Sequence, residues 1–252
     1  MKNSIFQSKL FFIISGTLSL VLLYLIFSTI KEGFLFPSLK SLFIGIVNLI
    51  VQQNILLLYF QTIAKLLLCI TISFFFALFI AFLRLFNKNC NYFFTPFLVF
   101  LKCSPLVILS VYIFFLWDNN IGPYIICMMV ILPIICEGIF TSQEEINKQI
   151  LSELSITNVS KIRKFIKIYI PMMTPYLTML FLMCFGLGLK VIVMGEYLMV
   201  TPNSLGEFIY ISKSYVDINS LLSILILCCV FTLFFEVIAA ISQKNIKKYI
   251  YC

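Results

Sequence analysis

Charged residues vanish from this chain over and over, for stretches about as long as a bilayer is thick. The uncharged runs are Leu10–Ile30, Leu66–Leu83, Cys103–Trp117, Asn119–Cys136, Ile168–Leu189 and Ile218–Phe235. A transmembrane helix needs about 20 largely apolar residues. Lipid offers no water to an unpaired backbone group, so segments of this kind must be helices. Composition agrees: 62% of residues are hydrophobic and only 11% charged, against about 25% charged in soluble domains. The expected fold is an all-α integral membrane protein of about six transmembrane helices, forming one domain over 1–252. The expected helices are 10–30, 55–85, 92–117, 120–141, 168–195 and 218–242.

Lys2 and Lys9 precede the first apolar run, as in a secretory leader. That run exceeds the usual leader core of about 7–15 residues, and no small-x-small site follows, so a retained first helix is expected. Ser41–Ala64 is also uncharged, but Gln52-Gln53-Asn54 interrupts it. With six spans and a cytoplasmic N-terminus, twelve Lys and Arg residues fall inside and four (Lys31, Lys40, Lys190, Lys213) outside, with Lys65 and Lys102 within spans. A seventh span would reverse every later cluster against the positive-inside rule. The expectation is a multi-pass protein with both termini cytoplasmic, and 38–51 an amphipathic helix at the outer surface. The net charge of +8 then reflects topology and attraction to anionic lipid rather than nucleic-acid binding.

Chemistry has little to work with. There is no histidine, which excludes nucleophile–histidine pairs and histidine metal sites. Seven of the nine cysteines fall in spans, where cysteine behaves as a small apolar residue. No glycine is followed by lysine, so the phosphate-cradling loop is absent. If ATP powers this chain, another subunit hydrolyses it. The alternative from a different class is a secondary transporter or channel working without ATP. Such proteins commonly carry internal repeats and several intramembrane carboxylates, and no repeat is visible here.

The one long polar interruption is Ser142–Lys167, expected to be an inner loop. Ile146, Ile150, Leu151 and Leu154 are spaced for a short helix. Thr157-Asn158 reads as a turn, with Asn158 or Ser160 suited to capping. A second amphipathic run, Ile162, Phe165, Ile166 and Tyr169, leads into Pro171. This pattern fits either a solvated basic loop or a helix held by a cytoplasmic partner. Intramembrane charge is costly, about 2.5–3.5 kcal/mol at a helix centre. Lys102 lies inside the third span beside Ser104-Pro105, where proline frees a carbonyl. Lys190 and Glu196 flank the outer part of the fifth span, either paired with each other or facing a water-filled path. Glu137 and Glu236 lie near inner helix ends, where they can snorkel towards the interface.

Several pieces stand in a specific order: Phe36-Pro37-Ser38, Phe100-Leu101-Lys102-Cys103-Ser104-Pro105-Leu106, Ser152 to Pro171, Gly195-Glu196-Tyr197-Leu198, Ser204-Leu205-Gly206, and Glu236 before a basic tail. From Phe36 to Lys248 the sequence resembles permease subunits of bacterial ATP-binding-cassette importers, in the binding-protein-dependent branch of nitrate, sulfonate, taurine and thiamine-precursor permeases. The hallmark of those permeases is a cytoplasmic loop, E-A-A-x-x-x-G followed by I-x-L-P. Here Ser152-Glu153-Leu154 stands at E-A-A and Asn158 at the glycine, and asparagine also tolerates left-handed backbone.

The resemblance implies a type I importer permease with a coupling helix, in loop 142–167 between helices four and five, seated on the ATPase. It implies coupling residues Glu145, Gln149, Ser152, Glu153, Leu154, Asn158 and Ser160. It places Glu196 and Gly206 in the outer gate region; with the proline break and the intramembrane charges, the expected pathway and gate positions are Lys102, Ser104, Pro105, Lys190 and Glu196. It further implies two ABC ATPase subunits, an extracytoplasmic substrate-binding protein and a second permease chain, as a homodimer. ATP would be bound by the partner, with no cofactor in this chain, and the location would be the bacterial inner membrane.

Overall fold

The computed structural model describes residues 15–16, 19, 22–26, 28, 36–51, 54–86, 89–144 and 160–250. The expected first span lies largely outside the described residues, as does 145–159 of the expected coupling loop. Helices make up almost all of the regular structure: α1 (Leu39–Val51), α2 (Ile55–Phe86), α3 (Asn89–Cys103), α4 (Leu106–Leu116) and α5 (Gly122–Glu144). After them come the short α6 (Lys161–Lys164), a π-helical turn (Phe165–Tyr169), α7 (Ile170–Met199), α8 (Leu205–Ser214) and α9 (Ile218–Ile250). Among the described residues four helices are long and apolar enough to cross a membrane: Ile55–Arg84, Gly122–Gln143, Tyr176–Met199 and Ile218–Phe235.

The third expected span, 92–117, is not a single helix. It is broken into α3 and α4, bent by 101° at Ser104-Pro105. Pro105 cannot donate to the Leu101 carbonyl, and its ring crowds the preceding turn. Ser104 stays with α3, its N–H bonding to Phe100 O at 3.0 Å and its hydroxyl to the same oxygen at 2.7 Å. Asn54, just before α2, has φ of 49°, a left-handed conformation that asparagine tolerates better than most residues.

The chain divides into two compact units. The smaller comprises 1–54 and 211–228. In it, Ser38 starts α1 by accepting the Ser41 N–H at 3.2 Å, the expected N-cap bond. α1 packs on the start of α9, where Asn219 Nδ2 donates to Ser41 O at 3.2 Å and the Ser223 hydroxyl to Leu42 O at 3.5 Å. Leu42, Gly45 and Leu49 form its buried side, while Phe43, Ile44, Val47 and Val51 are exposed. Asp217 starts α9 by accepting the Ser220 N–H at 3.1 Å.

The larger unit comprises 55–210 and 229–252. Its centre is the triple contact of α2, α5 and α7, and α5 with α7 is the most extensive pairing. Fully buried side chains meet there: Leu66, Cys69 and Ile70 from α2, Cys127, Ile131 and Ile135 from α5, Cys184 and Ile192 from α7. In lipid, burying apolar surface gains little, so helices associate by close van der Waals packing that small residues allow. Gly188 is such a residue: a Cβ there would come within 2.6 Å of Leu66 Cδ1 and 2.7 Å of Ile131 Cδ1. Cysteine at 69, 127 and 184 acts the same way, as compact filler.

Candidate functional site

One carboxylate organises the end of the larger unit where α7 meets α8. Glu196 lies one turn from the end of α7 and is completely buried. Lys65 Nζ of α2 stands 2.9 Å from its Oε1. The Thr62 hydroxyl, one turn before Lys65, faces Oε1 at 3.2 Å and Oε2 at 3.0 Å. The Gly206 N–H of α8 donates to Oε2 at 3.4 Å. A buried charge is tolerable only with a counter-charge and further donors, and these three residues supply both. Glu196 thereby ties α2, α7 and α8 together.

The Glu196 backbone completes the knot. The Thr201 N–H donates to Glu196 O at 3.0 Å and the Val200 N–H to Tyr197 O at 3.4 Å, the paired bonds of a Schellman helix end. That motif puts its penultimate residue in the left-handed region, here Val200 with φ of 48° and ψ of 52°. For a β-branched residue this is a strained position, worth of the order of 1–3 kcal/mol. The surroundings hold it: the Thr201 hydroxyl donates to Asn119 O at 2.7 Å. Ser204 and Glu207 then form a capping arrangement for α8. The Glu207 N–H donates to Ser204 Oγ at 3.1 Å, and the Glu207 carboxylate accepts the Asn203 N–H at 2.7 Å. Only glycine fits at 206, because a Cβ there would run into the backbone of Glu196 and Tyr197.

A second charge pair sits beside the 101° bend. Lys102 Nζ of α3 lies 2.6 Å from Glu137 Oε2 of α5, and these side chains are 54% and 62% exposed. The two pairs are opposite in character. In Lys65–Glu196 the carboxylate is sealed inside the helix packing and the lysine is only slightly exposed, whereas Lys102–Glu137 lies on the surface of the chain among apolar residues, a costly place if it faced lipid.

The third element is the base, where the expected coupling loop leaves α5 and returns through α6. On the outgoing side Ser142 and Gln143 are buried, and Gln143 Nε2 donates to Ala81 O of α2 at 3.4 Å. Arg84, in the last turn of α2, stacks over the Phe140 ring at 4.8 Å. On the returning side the Phe165 ring is buried and lies 5.3 Å from the Phe82 ring of α2. Both limbs therefore close on the last two turns of α2.

Among residues singled out in the sequence, Glu145, Gln149, Ser152, Glu153, Leu154 and Asn158 fall outside the described residues. Ser160 is exposed and caps α6, accepting the Arg163 N–H at 3.4 Å. Ser104 and Pro105 form the bend. Lys190 is exposed, and the cation beside Glu196 is Lys65, not Lys190. The pairing of Lys190 with Glu196 fails because the carboxylate points to α2 rather than along its own helix. Lys102 has a partner, Glu137, that the sequence did not assign to it. Thr62 and Lys65 were missed as site residues. The signal was present: an intramembrane lysine demands a carboxylate, and a hydroxyl three positions earlier shares its helix face. Among the described residues no group of three or more His, Cys, Asp or Glu could hold a metal ion.

Residues 70–248 match the family described as binding-protein-dependent transport system inner membrane component. No curated protein matches the chain significantly. The match covers the bend, both roots of the loop and the Glu196 elbow. With the helical membrane fold that carries them, it makes this chain a member of that family, the membrane permease subunits of ATP-binding-cassette importers.

Proposed function

We propose that this chain forms the solute pathway of an ATP-driven importer and is moved by a separate ATPase docked on segment 145–160. The observation that carries the reading is the placement of that segment's roots. It joins α5 to α7, the most extensively packed helix pair among the described residues, and both roots are clamped to α2. A displacement applied there acts on the packed centre rather than on a loose loop. Family membership implies an ABC ATPase and an extracytoplasmic binding protein as partners. Glu145, Gln149, Ser152, Glu153, Leu154, Asn158 and Ser160 supply the docking surface, and ATP is bound and hydrolysed by the partner while this chain is non-catalytic. ATP biases a two-state equilibrium because one state of the permease fits the closed ATPase pair better.

Two copies enclose the path. Lys102, Ser104 and Pro105 line it at the bend, and Lys190 faces it further out. Glu196 acts at the gate by holding the elbow rather than by touching solute. The chain lies in the inner membrane with both termini cytoplasmic. By its resemblance to nitrate, sulfonate, taurine and thiamine-precursor permeases, it passes a small organic solute or anion. The test is co-purification from mild detergent. Glu153→Arg with Leu154→Arg is expected to abolish retention of the ATPase while membrane insertion stays normal. Undiminished retention would remove 145–160 as the docking surface.

A further inference from the structure

The run Ile162, Phe165, Ile166, Tyr169 has helical spacing, yet its apolar residues do not share one fate. Ile162 and Ile166 are 54% and 57% exposed, whereas Phe165 is 7% exposed. The cause lies in the backbone. Residues Phe165–Tyr169 form a π-turn, closed by the Ile170 N–H bonding to Phe165 O. Pro171 follows with no N–H, so no α-helical bond can reach the Lys167 carbonyl from that position. A π-turn holds one residue more than an α-turn, and each residue turns the chain by about 100°. Everything before the turn is therefore rotated by about that angle relative to α7. The rotation aims Phe165 beneath α2, against Phe82 with ring centroids 5.3 Å apart.

This ring links the returning limb of the loop to α2 as well as to α7. Both limbs thus hold the last two turns of α2, since Gln143 and Phe140 meet Ala81 and Arg84 on the outgoing side. α2 is a single unbroken helix of 32 residues. Lys65 lies 17 residues before Phe82, about 26 Å along the axis. Its inner end meets the loop and its outer part meets Glu196.

We propose that Phe165 is a positioning residue for energy coupling: aimed by the π-turn, it makes α2 a third leg that moves with the coupling loop. This rests on the docking reading above. The displacement enters at the base, and α2 carries it to the Thr62–Lys65–Glu196 knot.

The test uses the permease co-purified with its ATPase and trapped with ATP and vanadate. Leu57, near the outer end of α2 and 60% exposed, is replaced by Cys, and labelling of that residue by a water-soluble thiol reagent is read by peptide mass spectrometry, apart from the native cysteines. In this parent, trapping is expected to change the labelling rate by at least about threefold. Phe165→Leu and Phe82→Leu are each expected to remove most of that response while the ATPase stays bound. Combined, they are expected to do no more than either alone, as for two halves of one contact. Phe165→Met and Phe82→Met replace them if the leucine variants do not fold. A parent without any response overturns the proposal, and so do variants that respond like the parent or whose effects multiply. A parent that retains no ATPase sinks the docking reading itself, and this inference with it.

Discussion

Replacing Lys65 with methionine would leave the Glu196 carboxylate sealed in the helix packing without its cation. The Thr62 hydroxyl and the Gly206 N–H would remain, at 3.0 and 3.4 Å. Removing one member of a buried pair costs about 3–5 kcal/mol. Lys65 retains 18% side-chain exposure, so its charge is partly hydrated and the lower end, about 3 kcal/mol, is expected. For a chain of this size, that corresponds to a Tm lower by about 6–12 °C. Glu196→Gln alone strands the lysine, but that side chain is less buried than the carboxylate, so its penalty should be smaller. The double variant Lys65→Met/Glu196→Gln removes both charges and keeps an acceptor for Thr62. It is expected within about 1 kcal/mol of the wild type, because uncharged replacements of a buried pair are often neutral. The assay is thermal unfolding in mild detergent with a thiol-reactive fluorophore. Cys69, Cys127 and Cys184 are buried and report unfolding, while Cys103 and Cys229 are exposed and label at the start. A Lys65→Met variant melting within 2 °C (about 0.5–1 kcal/mol) of wild type would refute the reasoning. So would a double variant as unstable as the sum of the singles.

Gly206→Ala is expected to lose about 1–3 kcal/mol, since the added methyl meets backbone that cannot move aside; unchanged melting would show that the elbow is looser than described. At the bend, Lys102→Gln should alter stability by less than about 1 kcal/mol, as for an exposed ion pair, yet sharply reduce uptake in the assembled transporter. The adjacent Cys103, exposed in the isolated chain, should react with a water-soluble thiol reagent in membranes. An inert Cys103 together with normal uptake by Lys102→Gln would place that face in lipid, not on the path.

Helical membrane character was legible because the bilayer enforces it. A run such as Ile168–Leu189 has no other stable form in lipid, whatever its neighbours do. Local punctuation was legible for the same reason of short range. Pro105 breaks the third span and Ser160 caps the helix before Pro171 through groups within a few residues of each other. The size of the break was not legible: a proline says that a hydrogen bond is missing, and packing decides that the result is 101°.

Partner choice was beyond the reach of spacing. Glu196 had a lysine six positions away on its own helix, and the chain instead gave it Lys65, 131 positions earlier. Lys102 likewise found Glu137, 35 positions on. Such pairs are selected by which helix faces meet, and the meeting is governed by small residues such as Gly188 and Cys127 that carry no sign of their role in sequence. The π-turn is a further case, because nothing local to Phe165 marks it for burial apart from its neighbours Ile162 and Ile166. By itself, then, the sequence determined medium, helix content and the places where helices must stop, since these follow from water-free lipid and from backbone chemistry. Only the tertiary structure decided which charges neutralise each other and which ring lies beneath α2, because those depend on helix rotation, and rotation is settled by packing across distant segments.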